Sequence, residues 1–379
     1  MRVKIESFLR EVCEKTTKNN EYPVLTSSKS GLFLQSDYFN KQVASTDNTG
    51  YKIIKKGQFT YRAMSDTGEF YPNMLECVDV GIVSPAYPVF EIFQTDLIIP
   101  EYLKYYFKSN AFQHAISSFA QGSTRTSVKF NKLKTASIDL PSKQEQTNIL
   151  RLLKKAETLI ASRQQELQKL DDLVKARFVE MFENISYPTE RFSRFIESLT
   201  SGSRGWAKYC VDDGSEWFIT IKNVKNCCIS TNNMQPINAP RNAEAIRTKV
   251  KEGDLLISIT ADLGRTGVVS KEIAEHGAYI NQHLTCIRVD RKIINPLFIA
   301  YYLDSPAGKM QFEAKNQSAV KAGLNFEAIN SLMIKVPPIE LQNEFETFVE
   351  QVDKSKFVVQ QALDKAQLLF DSLMQQYFG

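Results

Sequence analysis

The spacing of apolar residues changes character twice along the chain. From residue 1 to 141 they fall in short runs, such as 51–54 and Val80–Val83, separated by Gly, Asn, Asp and Pro. Runs of that length between turn formers predict short strands with long loops. At Pro141 and Ser142 the spacing lengthens. Ser142 and Glu145 stand three apart, the spacing of a capping box. Beyond them Ile149, Leu152, Leu153, Ala156, Leu159, Leu167, Leu170, Val174, Phe178 and Met181 recur mostly at steps of three and four, with a polar break at Arg163. No Gly or Pro interrupts residues 142–186, so one long helix is predicted there. The short runs then return at 218–221 and 255–259. From Pro337 and Pro338, tolerated at a helix start, a second stripe follows in the same phase: Phe345, Phe348, Val352, Val359, Leu363, Ala366, Leu369, Leu373 and Phe378.

The second half therefore repeats the first. Shifted by 196 residues, the chain pairs Tyr105 and Tyr106 with Tyr301 and Tyr302, Phe130 with Phe326, Pro141 with Pro337, Gln146 with Gln342 and Phe182 with Phe378. Over residues 98–183 this gives 17 identities in 86 pairs, against roughly five expected from ordinary composition. The same shift pairs Gly57 with Gly253 and Gly81 with Gly277. Ile5, Glu6 and Ser7 match Ile196, Glu197 and Ser198 at a shift of 191, which implies an insertion or deletion before residue 21.

The expected fold class is α/β (α+β): two pseudo-twofold-related globular domains joined by two long antiparallel helices forming a coiled coil. If the first helix leads from one globular part to the other, a symmetric second helix must run back. At 1.5 Å per residue, helices of about 40 residues would hold the parts roughly 60 Å apart in a dumbbell. The expected divisions are 1–141, 142–186, 187–337 and 338–379.

Composition fits a folded protein of two or three domains: 379 residues, 43% apolar and 24% charged. Disorder, collagen and fibre are excluded. No apolar run reaches 18 residues, and acids interrupt the first fifteen positions, so a cytoplasmic chain is expected. Six cysteines without a CxxC, and His114, His276 and His283 as the only imidazoles, leave no zinc spacing. Reduced, mostly buried thiols are expected.

Catalytic motifs are missing as well. There is no GxxxxGK[ST], GxSxG, HExxH or GxGxxG. Asn295-Pro296-Leu297-Phe298 comes nearest to a methyltransferase loop, but it lacks a second proline and a glycine-rich cofactor loop upstream. What the chain concentrates is positive charge in loops. Lys52, Lys55, Lys56 and Arg62 lie in an acid-free run. Ser123, Thr124, Arg125, Thr126 and Lys129 follow Gly122 in a loop of hydroxyls and cations, the donors that phosphates and base edges need. In the second half Lys222, Asn223, Lys225, Arg241, Arg247, Lys249, Lys251, Arg265, Lys315 and Lys321 correspond. A solvated surface explains any one of these; recurrence at matched places favours a nucleic-acid interface.

QGSTRTSVKFNKLKTASIDLPSKQEQ at 121–146, NQSAVKAGLNFEAINSLMIKVPPIELQ at 316–342 and KEGDLLISITADLGRTGVV at 251–269 resemble the specificity subunit of type I restriction-modification enzymes. The resemblance covers the full length. It implies a non-catalytic chain with two target-recognition domains, each reading half of a bipartite target in double-stranded DNA. It further implies a helical platform for two methyltransferase (modification) subunits and for restriction/translocase subunits outside them. S-adenosylmethionine, ATP and Mg would belong to those partners, and no membrane is involved. A coiled-coil adaptor without DNA binding and a divergent DNA adenine methyltransferase are the competing readings.

Overall fold

The structure is a computed structural model and describes residues 1–38, 46–119, 126–260, 262–316 and 323–379. The chain divides into two compact units, one of Met1–Gln165 with Gln360–Gly379 and one of Glu166–Val359. Each unit combines short strands with segments of both long helices.

In the first unit Arg2–Lys4 pairs antiparallel with Ser137–Asp139, and a four-stranded sheet runs in the order Leu9–Val12, Val89–Ile92, Phe59–Thr60, Asn73–Met74. Lys52–Lys55 pairs with Val80–Val83. The core beneath is aromatic, with Phe59, Phe90, Phe107 and Phe112 all inaccessible to water. In the second unit Thr189–Arg191 pairs with Met333–Lys335, and a six-stranded sheet runs Ile196–Ser201, Leu284–Val289, Leu255–Ser258, Thr266–Val268, Cys227–Ile229, Val224–Lys225. The last two strands join through Asn226 and Cys227, both at positive φ, as a tight two-residue hairpin requires.

Matched hydrogen bonds fix the repeat more closely than matched letters. Gln146 is fully buried; its Oε1 accepts from the Ile99 amide at 2.9 Å, and its Nε2 donates to the carbonyls of Leu97 at 2.9 Å and Pro141 at 3.0 Å. Gln342 repeats two of these bonds 196 residues later, accepting from Asn295 at 2.8 Å and donating to Pro337 at 2.8 Å. Gln146→Leu and Gln342→Leu would each strand buried backbone groups, at about 1–3 kcal/mol per group. Each is expected to lower stability by about 2–4 kcal/mol in chemical denaturation, and wild-type midpoints would contradict the assignment.

Upstream the sequence match is misregistered. Ile5 corresponds to Phe192, not to Ile196: the turn bonds Phe8 N to Ile5 O at 3.2 Å and Phe195 N to Phe192 O at 3.0 Å are the same turn, and both lead into Phe93 N to Phe8 O and Asp290 N to Phe195 O at 3.0 Å. The shift there is 187. Gly57 and Gly253 do match. Both adopt positive φ, and their amides bond Leu75 O and Val269 O. Gly81 instead matches Ala278, since Lys52–Lys55 pairs Ile53 with Ile82 where the second unit bridges Lys249 to Tyr279. One inserted residue erased that register from the sequence.

The long helices span Lys143–Phe178 and Ile339–Phe378. Ser142 and Glu145 form the expected capping box, with the Ser142 amide donating to Glu145 Oε2 at 2.8 Å. In the first unit Ile149, Leu150 and Leu153 share a core with Phe370, Leu373 and Phe378. In the second, Val174, Phe178 and Phe182 meet Phe345, Val349 and Val352, flanked by ion pairs Lys356–Asp171 at 2.7 Å and Arg177–Glu344 at 3.1 Å. Early residues of one helix thus meet late residues of the other, and the pair is antiparallel.

Three expectations need correction. The α-helix does not run to 186 but ends at Phe178 in a wider turn, Val179–Glu183, because Lys335 Nζ reaches in to the Phe182 carbonyl at 3.1 Å. Leu152, Leu159 and Leu369 do not join the buried stripe and are 37–47% exposed. Likewise only Cys227 and Cys286 are buried thiols, while Cys13, Cys77 and Cys228 are exposed. No described helix is long and apolar enough to cross a membrane.

Candidate nucleic-acid interface

The sequence singled out two stretches that the first unit brings side by side. Thr126–Ser127, where the hydroxyl-rich loop ends, pairs antiparallel with Met64–Ser65, and Thr126 Oγ1 donates to the Ser65 carbonyl at 3.1 Å. The next residue is anchored from below. Val128 N bonds Ala63 O at 3.0 Å, and the buried Tyr61 hydroxyl donates to Val128 O at 2.9 Å. Arg62, Thr126 and exposed Lys129 consequently sit on one small framework. Beside it lies a cavity of about 780 Å³ lined by Arg62, Met64, Ser65, Thr67, Lys29 and Tyr71.

The second unit repeats the framework at a shift of 196. Thr260 bridges Gly323, and Leu324 N bonds Ile259 O at 3.0 Å. Arg265 pairs with Asp262 at 2.6 Å at the same hairpin tip.

The other candidates scatter. The run of cations at 51–62 is acid-free only along the sequence: Lys52 meets Glu11 at 3.7 Å, Lys55 meets Glu14 at 2.8 Å, Lys56 meets Asp79 at 3.5 Å and Arg62 meets Asp66 at 3.8 Å. The last three are exposed pairs, which contribute little energy and exchange partners readily, so they dilute the positive field without fixing it. Lys249 bonds Glu216 at 3.0 Å, which raises its pKa, and lies over the Tyr279 ring. Lys222 and Lys251 are exposed, the latter in the Gly253 turn where Asp254 holds its amide at 2.8 Å.

Asn223 drops out. It is 4% exposed, its Oδ1 accepts from the Thr220 amide and hydroxyl at 2.9 Å, and its Nδ2 donates to Ser230 O. The turn engages both the oxygen and the nitrogen of the amide. Ser123, Thr124, Arg125 and Lys321 lie outside the described residues. Asn295 has no catalytic setting either: it caps the helix Pro296–Asp304 through Leu297 N at 2.8 Å and donates to Glu346 at 2.6 Å.

One cluster escaped the sequence reading. Gly202 and Ser203 bond the backbone of Leu284 and Ile280 at 3.0 and 2.9 Å, and a Cβ on Gly202 would collide with the Asn281 carbonyl. This clamp sets exposed Arg204 beside Gln282, with Arg204 Nε donating to Gln282 Oε1 at 3.0 Å. His283 follows, 3.2 Å from Gln282 Nε2 through Nε2 and 2.7 Å from Thr260 Oγ1 through Nδ1. Arg204 and His283 are 79 positions apart in sequence, and no spacing rule links them.

For covalent chemistry the described residues offer little. Burial pushes the Cys227 and Cys286 thiols well above their usual range, which suppresses the thiolate nucleophile. Among the described residues no cluster of His, Cys, Asp and Glu could hold a metal ion.

Comparison with known proteins gives three results. A family profile described as "Type I restriction modification DNA specificity domain" matches residues 6–172 and 224–365. The type I restriction enzyme EcoBI specificity subunit of Escherichia coli is 26% identical over 172 residues, 44% of this chain and 35% of that relative, so the match spans about a third of the relative's length. Two solved structures share the fold end to end. One, described under "Structural basis underlying complex assembly and conformational transition of the type I R-M system", gives a TM-score of 0.59 at 15% identity and covers 100% of this chain and 97% of that one. The other, the S subunit of the type I restriction-modification system from M. genitalium, gives 0.54 at 14% identity and covers 100% and 96%.

Proposed function

This chain belongs to the type I restriction modification DNA specificity family, and from that premise we propose that it is the DNA-specificity subunit of a type I restriction-modification system. Each unit reads one half of a bipartite duplex target. The long helices dock two methyltransferase subunits, and restriction/translocase subunits join outside them. Chemistry belongs to those partners, which bring S-adenosylmethionine, ATP and Mg; this chain supplies recognition.

The observation that carries the reading is the repeated framework, Met64–Ser65 against Thr126–Ser127 in one unit and Thr260 against Gly323 in the other. Two copies of one loop anchor in one chain suit a target read in two pieces. An adaptor without nucleic acid has no use for the matched cationic loops, and a methyltransferase would need a cofactor loop that the sequence does not contain.

Titration of the chain in complex with its methyltransferase partners against duplex DNA at two salt concentrations tests this. Binding should weaken steeply as salt rises, and the chain alone should take up no S-adenosylmethionine in calorimetry. Binding of that cofactor by the chain alone would favour the methyltransferase, and absence of salt-sensitive DNA binding would favour the adaptor. Within the first unit, Arg62→Ala and Lys129→Ala are expected to lower affinity for all sequences and reduce the salt slope by about one each, as phosphate contacts do. Unchanged slopes in both would leave the framework a purely structural device.

A further inference from the structure

In the second unit the cluster at the turn before Leu284–Val289 is joined by a chain of hydrogen bonds whose direction follows from the Gln282 amide. Arg204 Nε donates to Gln282 Oε1 at 3.0 Å, so the Gln282 amide nitrogen is the group that faces His283 Nε2 at 3.2 Å. A ring nitrogen that accepts there leaves the neutral imidazole its proton on Nδ1. Nδ1 then donates to Thr260 Oγ1 at 2.7 Å. Thr260 keeps its own hydroxyl proton for an outside acceptor, and the two terminal nitrogens of exposed Arg204 have no hydrogen-bond partner among the described residues. Both ends of the chain of bonds therefore present donors.

The first unit has the same turn with different chemistry. Tyr87 N closes on Ser84 O at 2.9 Å, as Leu284 N closes on Asn281 O at 3.1 Å. Its intervening residues are Pro85 and Ala86 where the second unit has Gln282 and His283, and Met64 stands where the second unit has Thr260. None of those three side chains can donate. Framework positions such as Gln146 and Gln342 keep both residue and bonds across the repeat. A place that keeps its backbone while exchanging donors for apolar groups is where two readers of different sequences would diverge.

We infer that Arg204 reads a guanine in the half-target of the second unit, with Gln282 and His283 as positioning residues and Thr260 as a second donor. A guanidinium held at Nε offers its two end nitrogens as a fork, which suits the O6 and N7 acceptors of guanine in the major groove. The inference rests on the proposed function and assigns one of its contacts.

The test is methylation of a randomised duplex library by the full complex with its methyltransferase partners, followed by sequencing of the methylated products. Wild type should select one bipartite sequence with a guanine in each position that an arginine reads. Arg204→Ala should remove the preference at one position of one half-site, with about tenfold or greater loss on the original target, and leave the other half unchanged. Arg204→Lys should keep the salt dependence of binding but not the base preference. His283→Leu should relax the same position and no other, which a merely structural role would not do. A wild-type preference that survives Arg204→Ala overturns the assignment alone. So does a uniform loss over all sequences with a salt slope smaller by about one, because that marks a phosphate contact. A wild-type complex with no bipartite preference overturns the functional reading and this assignment together.

Discussion

Phe182→Ala is expected to remove about 3–5 kcal/mol from the stability of the second unit, the usual cost of truncating a large core aromatic. Phe182 is fully buried, with ring centroids of Phe298, Phe178 and Phe345 at 4.8, 5.1 and 5.6 Å. The site cannot collapse cheaply around the void. Its backbone is fixed from the other side by Lys335 Nζ on the Phe182 carbonyl at 3.1 Å. Phe357→Ala is the control: that ring is 64% exposed, and surface substitutions of this kind usually stay within about 0.5 kcal/mol. Chemical denaturation followed by hydrogen exchange in residues 189–335 measures both. Equal losses for the two variants would mean that Phe182 is not at the centre of this core.

Asp254→Ala should be almost as costly. The Asp254 carboxylate is 3% exposed and accepts from Arg288 Nε at 2.9 Å, Arg288 Nη2 at 3.1 Å, the Lys251 amide at 2.8 Å and Cys286 Sγ at 3.1 Å. Without it the guanidinium keeps only the Lys249 carbonyl at 3.1 Å. Breaking a fully buried pair costs about 3–5 kcal/mol; Arg288 is 27% exposed, and water reaching it reduces the expected loss to about 2–4 kcal/mol. Asp254→Asn keeps the acceptor for the Lys251 amide and should lose less. The first unit solves the same turn with Gln58, which accepts from the Lys55 amide at 2.8 Å and donates to Glu91 at 2.8 Å. An alanine variant with wild-type thermal stability would show that Gly253 alone holds the turn.

Both positions illustrate what could be seen in the sequence beforehand. Phe182 stood in the repeat as the partner of Phe378, and the helical stripes are legible because residues at steps of three and four contribute to a core, Ile149 and Leu153 to that of the first unit and Val174 and Phe178 to that of the second. Residues 98–183 retain identities because much of that segment is framework, with the bonds of Gln146 to Ile99 and Pro141 recurring as those of Gln342 to Asn295 and Pro337. Upstream the signal fades for a physical reason. Strands of two to six residues carry too few side chains to mark a register, and a one-residue offset around Gly81, made good again before residue 98, hides the match between them. The register at Ile5 was recoverable only from backbone bonds.

The candidate interface was legible in part. The loops at 121–132 and 316–323 announced themselves by hydroxyls, glycine and cations, and the described ends of both are anchored at matched places. Acids were the invisible element, since Glu11, Glu14 and Asp79 reach the Lys52–Lys55 strand and its turn from other segments. Asn223 looked like a donor in a basic stretch, yet its burial in a turn is a tertiary fact. Arg204 and His283 were hidden for the opposite reason: each is unremarkable alone, and only the clamp at Gly202 makes them neighbours.

The central claim is that this chain carries DNA sequence specificity in two separable units. Exchanging residues 191–336 for the matching segment of a relative with a different target, and sequencing the methylated sites made by the assembled complex, tests it most directly. The account predicts a hybrid site in which one half changes to that of the donor relative and the other half stays as in the parent. A well-assembled hybrid that alters both halves, or neither, would contradict it.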